Sequence, residues 1–144
     1  GFEQVLAEPS DLQARARMQL GAAYAGTAIE NSMLGIAHSM ANPLTAHYGI
    51  VHGQAVGMML PHVVRWNRQD AVSAEVYESL LPNLDARIEE LLTIAEMPLK
   101  LSAFDVAEDL IPQMAEEASK QWTAQFNPVR LEPADFQEIY TRAL

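Results

Sequence analysis

Nowhere in the chain do apolar and polar residues alternate with a period of two over a useful length, whereas apolar residues recur at helical spacing in one segment after another. That pattern predicts an all-α fold, a bundle of about six to eight helices without internal repeats or low-complexity segments. The 144 residues suffice for one domain with a real core, and 49% apolar against 19% charged residues fits a folded globular chain.

Punctuation residues divide the chain. Pro9-Ser10-Asp11 opens a strong helix former from Leu12, with Ser10 or Asp11 accepting from the free amides of the first turn. From Gly21 this helix becomes small on nearly every face (Gly-Ala-Ala-Tyr-Ala-Gly-Thr-Ala), which predicts a central, buried helix whose packing offsets about 1 kcal/mol of lost propensity at each glycine. Asn31 or Ser32 is expected to cap a second helix, Met33 to about Met40. Pro43 should limit it, because the residue before a proline is pushed out of the helical region. Pro43 to Gly53 reads as a connection.

A further helix is expected from His52 or Gly53 to about Asn67, with Val56, Met59, Leu60 and Val63 inward and Pro61 tolerated or kinking it. Asp70 to Leu80, Leu84 to Ala95, Phe104 to Lys120 and Pro133 to Ala143 complete the set, with caps at Asp70, Ser102 and Glu132.

Charge and missing residues bound the chemistry. Nine Lys and Arg against nineteen Asp and Glu give a net charge of -10, a field that repels phosphate backbones and anionic lipid, so neither nucleic acid nor membrane is an expected partner. Gly1-Phe-Glu-Gln-Val-Leu-Ala lacks the basic and apolar regions of a signal peptide, and no apolar run reaches the ~18 residues of a membrane span. There is no cysteine, so any metal must be held by imidazole, carboxylate, amide or water, and a cytoplasmic location is expected. No glycine-rich phosphate loop or nucleophile elbow is present, and the chain is not expected to bind a nucleotide by itself.

Three of the four histidines, His38, His47 and His52, fall within fifteen residues. His38 and His52 come from different elements, so their geometry is set by packing and not by a single-helix motif. Spacing alone leaves two readings open: core histidines bonded to backbone carbonyls, or two ligands of one divalent metal. No third ligand is evident in the same segment. His47 reads as a surface or pocket-lining residue and His62 as structural, while Met33, Met40, Met58 and Met59 read as core filler and Glu89-Glu90 and Glu116-Glu117 as solvated faces.

The stretch Ala25-Gly-Thr-Ala-Ile-Glu-Asn-Ser-Met-Leu-Gly-Ile-Ala-His-Ser-Met-Ala-Asn-Pro-Leu44, then His52-Gly-Gln-Ala-Val-Gly-Met-Met-Leu-Pro-His-Val-Val-Arg-Trp-Asn67, closely resembles the helical domain of iron-containing (group III) alcohol dehydrogenases. Leu110-Ile-Pro-Gln-Met-Ala-Glu-Glu-Ala and Asn127-Pro-Val-Arg-Leu-Glu-Pro-Ala-Asp-Phe136 are similar to that family's closing helices, so the resemblance covers essentially the whole chain.

The resemblance implies residues 1–144 as a metal-binding helical domain, whose partner is an N-terminal α/β domain that binds NAD or NADP and is expected upstream of Gly1. It implies a divalent metal, Fe2+ or Zn2+, in the cleft between the domains. His38 and His52 match the last two of four ligands; an Asp and a His one turn apart are expected upstream. The family commonly has a further histidine near the substrate four residues after the first of these two, where this chain has Asn42, an amide able to orient a substrate oxygen but not to relay a proton.

The implied activity is oxidation of a small alcohol or reduction of its aldehyde, by a homo-oligomer, with this chain inactive alone. A non-catalytic, self-associating helical bundle is the alternative from another class. His52-Gly-Gln-Ala-Val is shared with dehydroquinate synthase and glycerol dehydrogenase, a minor alternative.

Overall fold

The computed structural model describes all 144 residues, and the chain is all-α, with eight α-helices, three 3-10 segments and no strand. It divides into two compact units, Gly1–Met33 and Leu34–Leu144. No helix is long and apolar enough to cross a membrane.

The first unit holds α1 (Phe2–Ala7) and α2 (Leu12–Ser32). Asp11 caps α2 as expected, its carboxylate accepting from the amides of Gln13 at 2.8 Å and Ala14 at 3.1 Å. The expectation of a buried helix fails: Ala14 is the only buried residue of α2. The unit offers one other helix of six residues, about 9 Å long, against about 30 Å of α2, so there is too little surface to cover it. Asn31 and Ser32 also differ from expectation. Instead of capping the next helix they bond backward, to the carbonyls of Thr27 and Ala28, and close α2 from within. Met33, at φ 64°, ends it.

The second unit contains α3 (Ile36–Tyr48), α4 (His52–Asn67), α5 (Ala71–Leu80), α6 (Leu84–Ile94), α7 (Ile111–Ser119) and α8 (Pro133–Ala143). Its core joins Ile36, Met40 and Leu44 of α3, Met58 and Met59 of α4, Ile111 and Met114 of α7 and Phe136, Ile139 and Tyr140 of α8. The Tyr140 hydroxyl donates to the Met40 carbonyl at 2.6 Å, tying α8 to α3 inside that core.

Two boundaries correct the sequence reading. Pro43 lies inside α3, which begins later and runs further than expected, so most of the supposed connection is helix. An interior proline costs about 3 kcal/mol. Complete burial of Ile36, Met40 and Leu44 contributes about 1.5–3 kcal/mol each, which outweighs it. The helix stops instead at Gly49, whose φ of 65° is the left-handed conformation that glycine adopts without strain. His38 consequently sits in the first turn of α3, not near its end.

The expected Phe104–Lys120 helix is broken into 3-10 segments Leu101–Phe104 and Glu108–Leu110 before α7, with Asp105 at φ 54° between them. Ser102 is no cap; its hydroxyl donates to the Leu144 carbonyl. Elsewhere local signals hold. Asp70 caps α5 through Ser73, and Glu132 with Asp135 forms a capping box on α8.

Candidate metal centre

Gly35 starts α3 and Val51 starts α4, each giving its carbonyl to the first turn of its helix. These two first turns carry His38 and His52. The three-residue link Gly49-Ile50-Val51 is anchored by buried Ile50, and α3 packs extensively on α4. The outcome is an imidazole pair with ring centroids 5.5 Å apart and planes tilted by 49°.

Neither ring makes a hydrogen bond within the chain, which disfavours the reading of core histidines satisfied by backbone carbonyls. His38 is half-buried. Burial, and then the neighbouring His52, lower its pKa below the ordinary histidine value. Imidazoles with nitrogens left free by the chain are metal ligands in kind. No third His, Cys, Asp or Glu joins them, so the chain contains two candidate ligands and not a complete set.

The other histidines stay apart. His47 pairs across the surface with Glu117 at 2.8 Å, and Gln113, then His47, hold that carboxyl below its usual range. His62 is largely buried on α4, where burial depresses its pKa. Asn42 lies one turn beyond His38 on α3, and its side-chain amide nitrogen donates to the side-chain amide oxygen Oε1 of Gln121 at 3.0 Å.

Two features lay outside sequence reasoning. Gln121 is seventy-nine residues from Asn42, and nothing local marks the pairing. Asn67 and Asn127 exchange amide bonds at 3.1 and 2.7 Å, with Asn67 buried and also donating to the Tyr77 hydroxyl. In the sequence Asn127 stands out only within the stretch that resembles the family's closing helices, and nothing there marks its pairing with Asn67. A Cβ on Gly35 would stand 3.3 Å from the Asn127 oxygen, so this amide pair sits against the residue that opens the His38 helix.

Residues 1–144 match the family described as Fe-containing alcohol dehydrogenase, C-terminal. The 1,3-propanediol dehydrogenase of Klebsiella pneumoniae is 32% identical over 99% of this chain and 40% of its own length. A crystal structure of 1,3-propanediol oxidoreductase superposes with a TM-score of 0.86 at 33% identity, covering 99% of this chain and 41% of that one. An archaeal halo-thermophilic alcohol dehydrogenase from a Red Sea brine pool gives 0.90 at 25% identity, over 99% and 40%. The chain thus spans about two fifths of the length of these relatives. With the helical architecture and full-length match together, this chain belongs to the iron-containing alcohol dehydrogenase family and corresponds to its C-terminal part.

Proposed function

We propose that this chain is the metal-holding helical part of an NAD(P)-dependent alcohol dehydrogenase, with His38 and His52 as two ligands of one divalent metal, ferrous iron or zinc. The observation that carries the reading is the imidazole pair, 5.5 Å apart, from two helices and without hydrogen bonds in the chain. The residues present fit half a centre. The remaining ligands and the nucleotide site belong to a part of the enzyme outside these 144 residues.

When bound, the metal supplies Lewis acidity toward an alcohol or carbonyl oxygen while hydride passes between substrate carbon and nicotinamide. This chain presents the two imidazoles from the first turns of two helices, 5.5 Å apart, and carries Asn42 one turn beyond His38 on α3, where an amide orients a substrate oxygen. The substrate class is a small alcohol or its aldehyde, as for the 1,3-propanediol dehydrogenase relative. Alone, the chain is inactive and takes up metal weakly.

The deciding experiment is metal analysis of the complete enzyme, wild type against His52→Ala. Loss of bound metal supports the assignment and equal content refutes it. NAD(P)-linked turnover by the isolated 144 residues would refute the predicted inactivity.

A second reading concerns the isolated chain. Leu12, Leu20 and Tyr24 of α2 are 79%, 51% and 66% exposed and lie at helical spacing on one stripe. Such apolar surface favours self-association. Sedimentation should show oligomers that Leu20→Glu with Tyr24→Glu dissociates; a monomeric wild type at high concentration would rule this reading out.

A further inference from the structure

The end of α7, the 3-10 segment Trp122–Phe126 and the entry to α8 surround a cavity of about 720 Å3 in the second unit. That volume falls within the range of about 300–1,000 Å3 usual for small-molecule sites. Neither His38 nor His52 lines it.

Arg130 is the cation that this cavity leaves uncommitted. Elsewhere in the second unit, Arg65 pairs with Asp85 and Glu89, Arg68 with Glu78 and Asp85, Arg87 with Glu90, and Arg142 with Glu138. Arg130 lines the cavity, is exposed, and has no ion pair or hydrogen bond in the chain, although nineteen carboxylates outnumber nine cations. The two carboxylates in the lining are engaged with other groups. Glu116 bonds Lys120 at 2.9 Å, and Glu132, two residues from Arg130, belongs to the capping box that occupies the start of α8. The guanidinium is thus left with its planar fork of N–H donors, a shape that takes a carboxylate through two parallel bonds.

Charge decides between anions. The lining carries two cations and two carboxylates, within a chain of net charge -10. A second negative charge on the ligand finds no second free cation, because Glu116 already holds Lys120, and it meets the repulsive field of the whole chain. A monoanion is therefore favoured over a phosphate dianion.

Trp122 sets the body of the ligand. It lines the cavity and is 57% exposed, while Phe126 meets its ring edge-on, at 87° with centroids 5.8 Å apart. That contact steadies the indole without covering it. Leu131 and Pro133 add apolar wall. A flat aromatic body buries large area on such a surface and gains from the ring contact as well.

We infer that this cavity is a binding site for aromatic monocarboxylates, with Arg130 holding the carboxylate and Trp122 the ring. The inference does not depend on metal binding by His38 and His52.

The experiment is calorimetric titration of the complete, metal-loaded enzyme with 2-naphthoate and with 2-naphthamide, its uncharged counterpart of nearly the same shape. Wild type should bind the acid more tightly. Arg130→Gln should weaken binding of the acid about tenfold and leave the amide unchanged, which removes most of the difference. Trp122→Ala should weaken both about fivefold, and Trp122→Phe less, because the ring contact is common to the two ligands. His52→Ala should leave 2-naphthoate binding unchanged, which separates the cavity from carboxylate uptake at the metal.

Both altered side chains are exposed, and circular dichroism verifies that each variant folds. No saturable binding by wild type, equal affinities for acid and amide, or an unchanged acid affinity in Arg130→Gln or in Trp122→Ala overturns the inference. Equal loss of both ligands in Arg130→Gln, or loss of the acid in His52→Ala, overturns it as well.

Discussion

The rings of His38 and His52 meet at 5.5 Å although each belongs to a different helix and neither is held by a hydrogen bond to the chain. Packing of α3 on α4 makes the pair, so removing either side chain should leave the scaffold in place. His38→Ala is expected to lower metal affinity of the complete enzyme at least about a hundredfold while shifting the melting temperature little, since no buried partner is orphaned. Calorimetry of the metal-free protein beside metal titration checks both halves; a large fall in apo stability would show that His38 is a core residue.

Tyr140 to Met40 is the polar tie inside the core. Burial pushes the Tyr140 phenol well above its ordinary pKa, so it remains a donor throughout the accessible pH range. Tyr140→Phe should cost about 1 kcal/mol, read from the urea midpoint at constant slope. A neutral effect would mean that the bond contributes nothing net.

Gly35 and the Asn67–Asn127 pair should be energetically coupled, because a methyl at position 35 meets the Asn127 oxygen at 3.3 Å. Gly35→Ala should destabilise by about 1–3 kcal/mol, from displacing a bonded amide next to buried Asn67. In an Asn127→Ala background the same change should cost less. A double-mutant cycle that closes additively would deny the coupling.

His62 links stability to pH. Burial first, then Arg65, lowers its folded pKa, with a smaller opposing effect from Glu89 and a further lowering from Arg142. A histidine whose folded pKa lies below its unfolded value binds fewer protons when folded, so stability is full above the unfolded value of about 6.5 and falls as pH drops below it. The carboxylates with depressed values, Glu8, Asp11, Asp70 and Glu117, lose their contribution only at lower pH. Unfolding free energies measured between pH 7.5 and 5 should therefore slope downward in the wild type, where His38 is lowered as well, and less steeply in His62→Gln; identical slopes would contradict the role.

Local chemistry was legible wherever a single side chain closes a helix end. Asp11, Asp70 and Glu132 cap where the sequence places them, because each cap needs only the amides two or three residues away, and Asp135 completes a box with Glu132. Helical periodicity likewise determined the all-α class and the extents of α4, α5, α6 and α8 to within a residue or two.

Tertiary structure decided what depends on neighbours. Pro43 stays in α3 because burial across α3, α4, α7 and α8 outweighs a lost bond, and α2 is exposed because small residues permit close packing but do not supply a partner. Both follow from burial being a relation between elements and not a property of one.

The same holds at the site. Sequence and family resemblance marked His38, His52 and Asn42, whereas only the fold sets two rings 5.5 Å apart and brings Gln121 to Asn42 across seventy-nine residues. Helical periodicity specifies which face a residue occupies. The packing of α3 against α4 and against the segment from Gln121 specifies what that face meets.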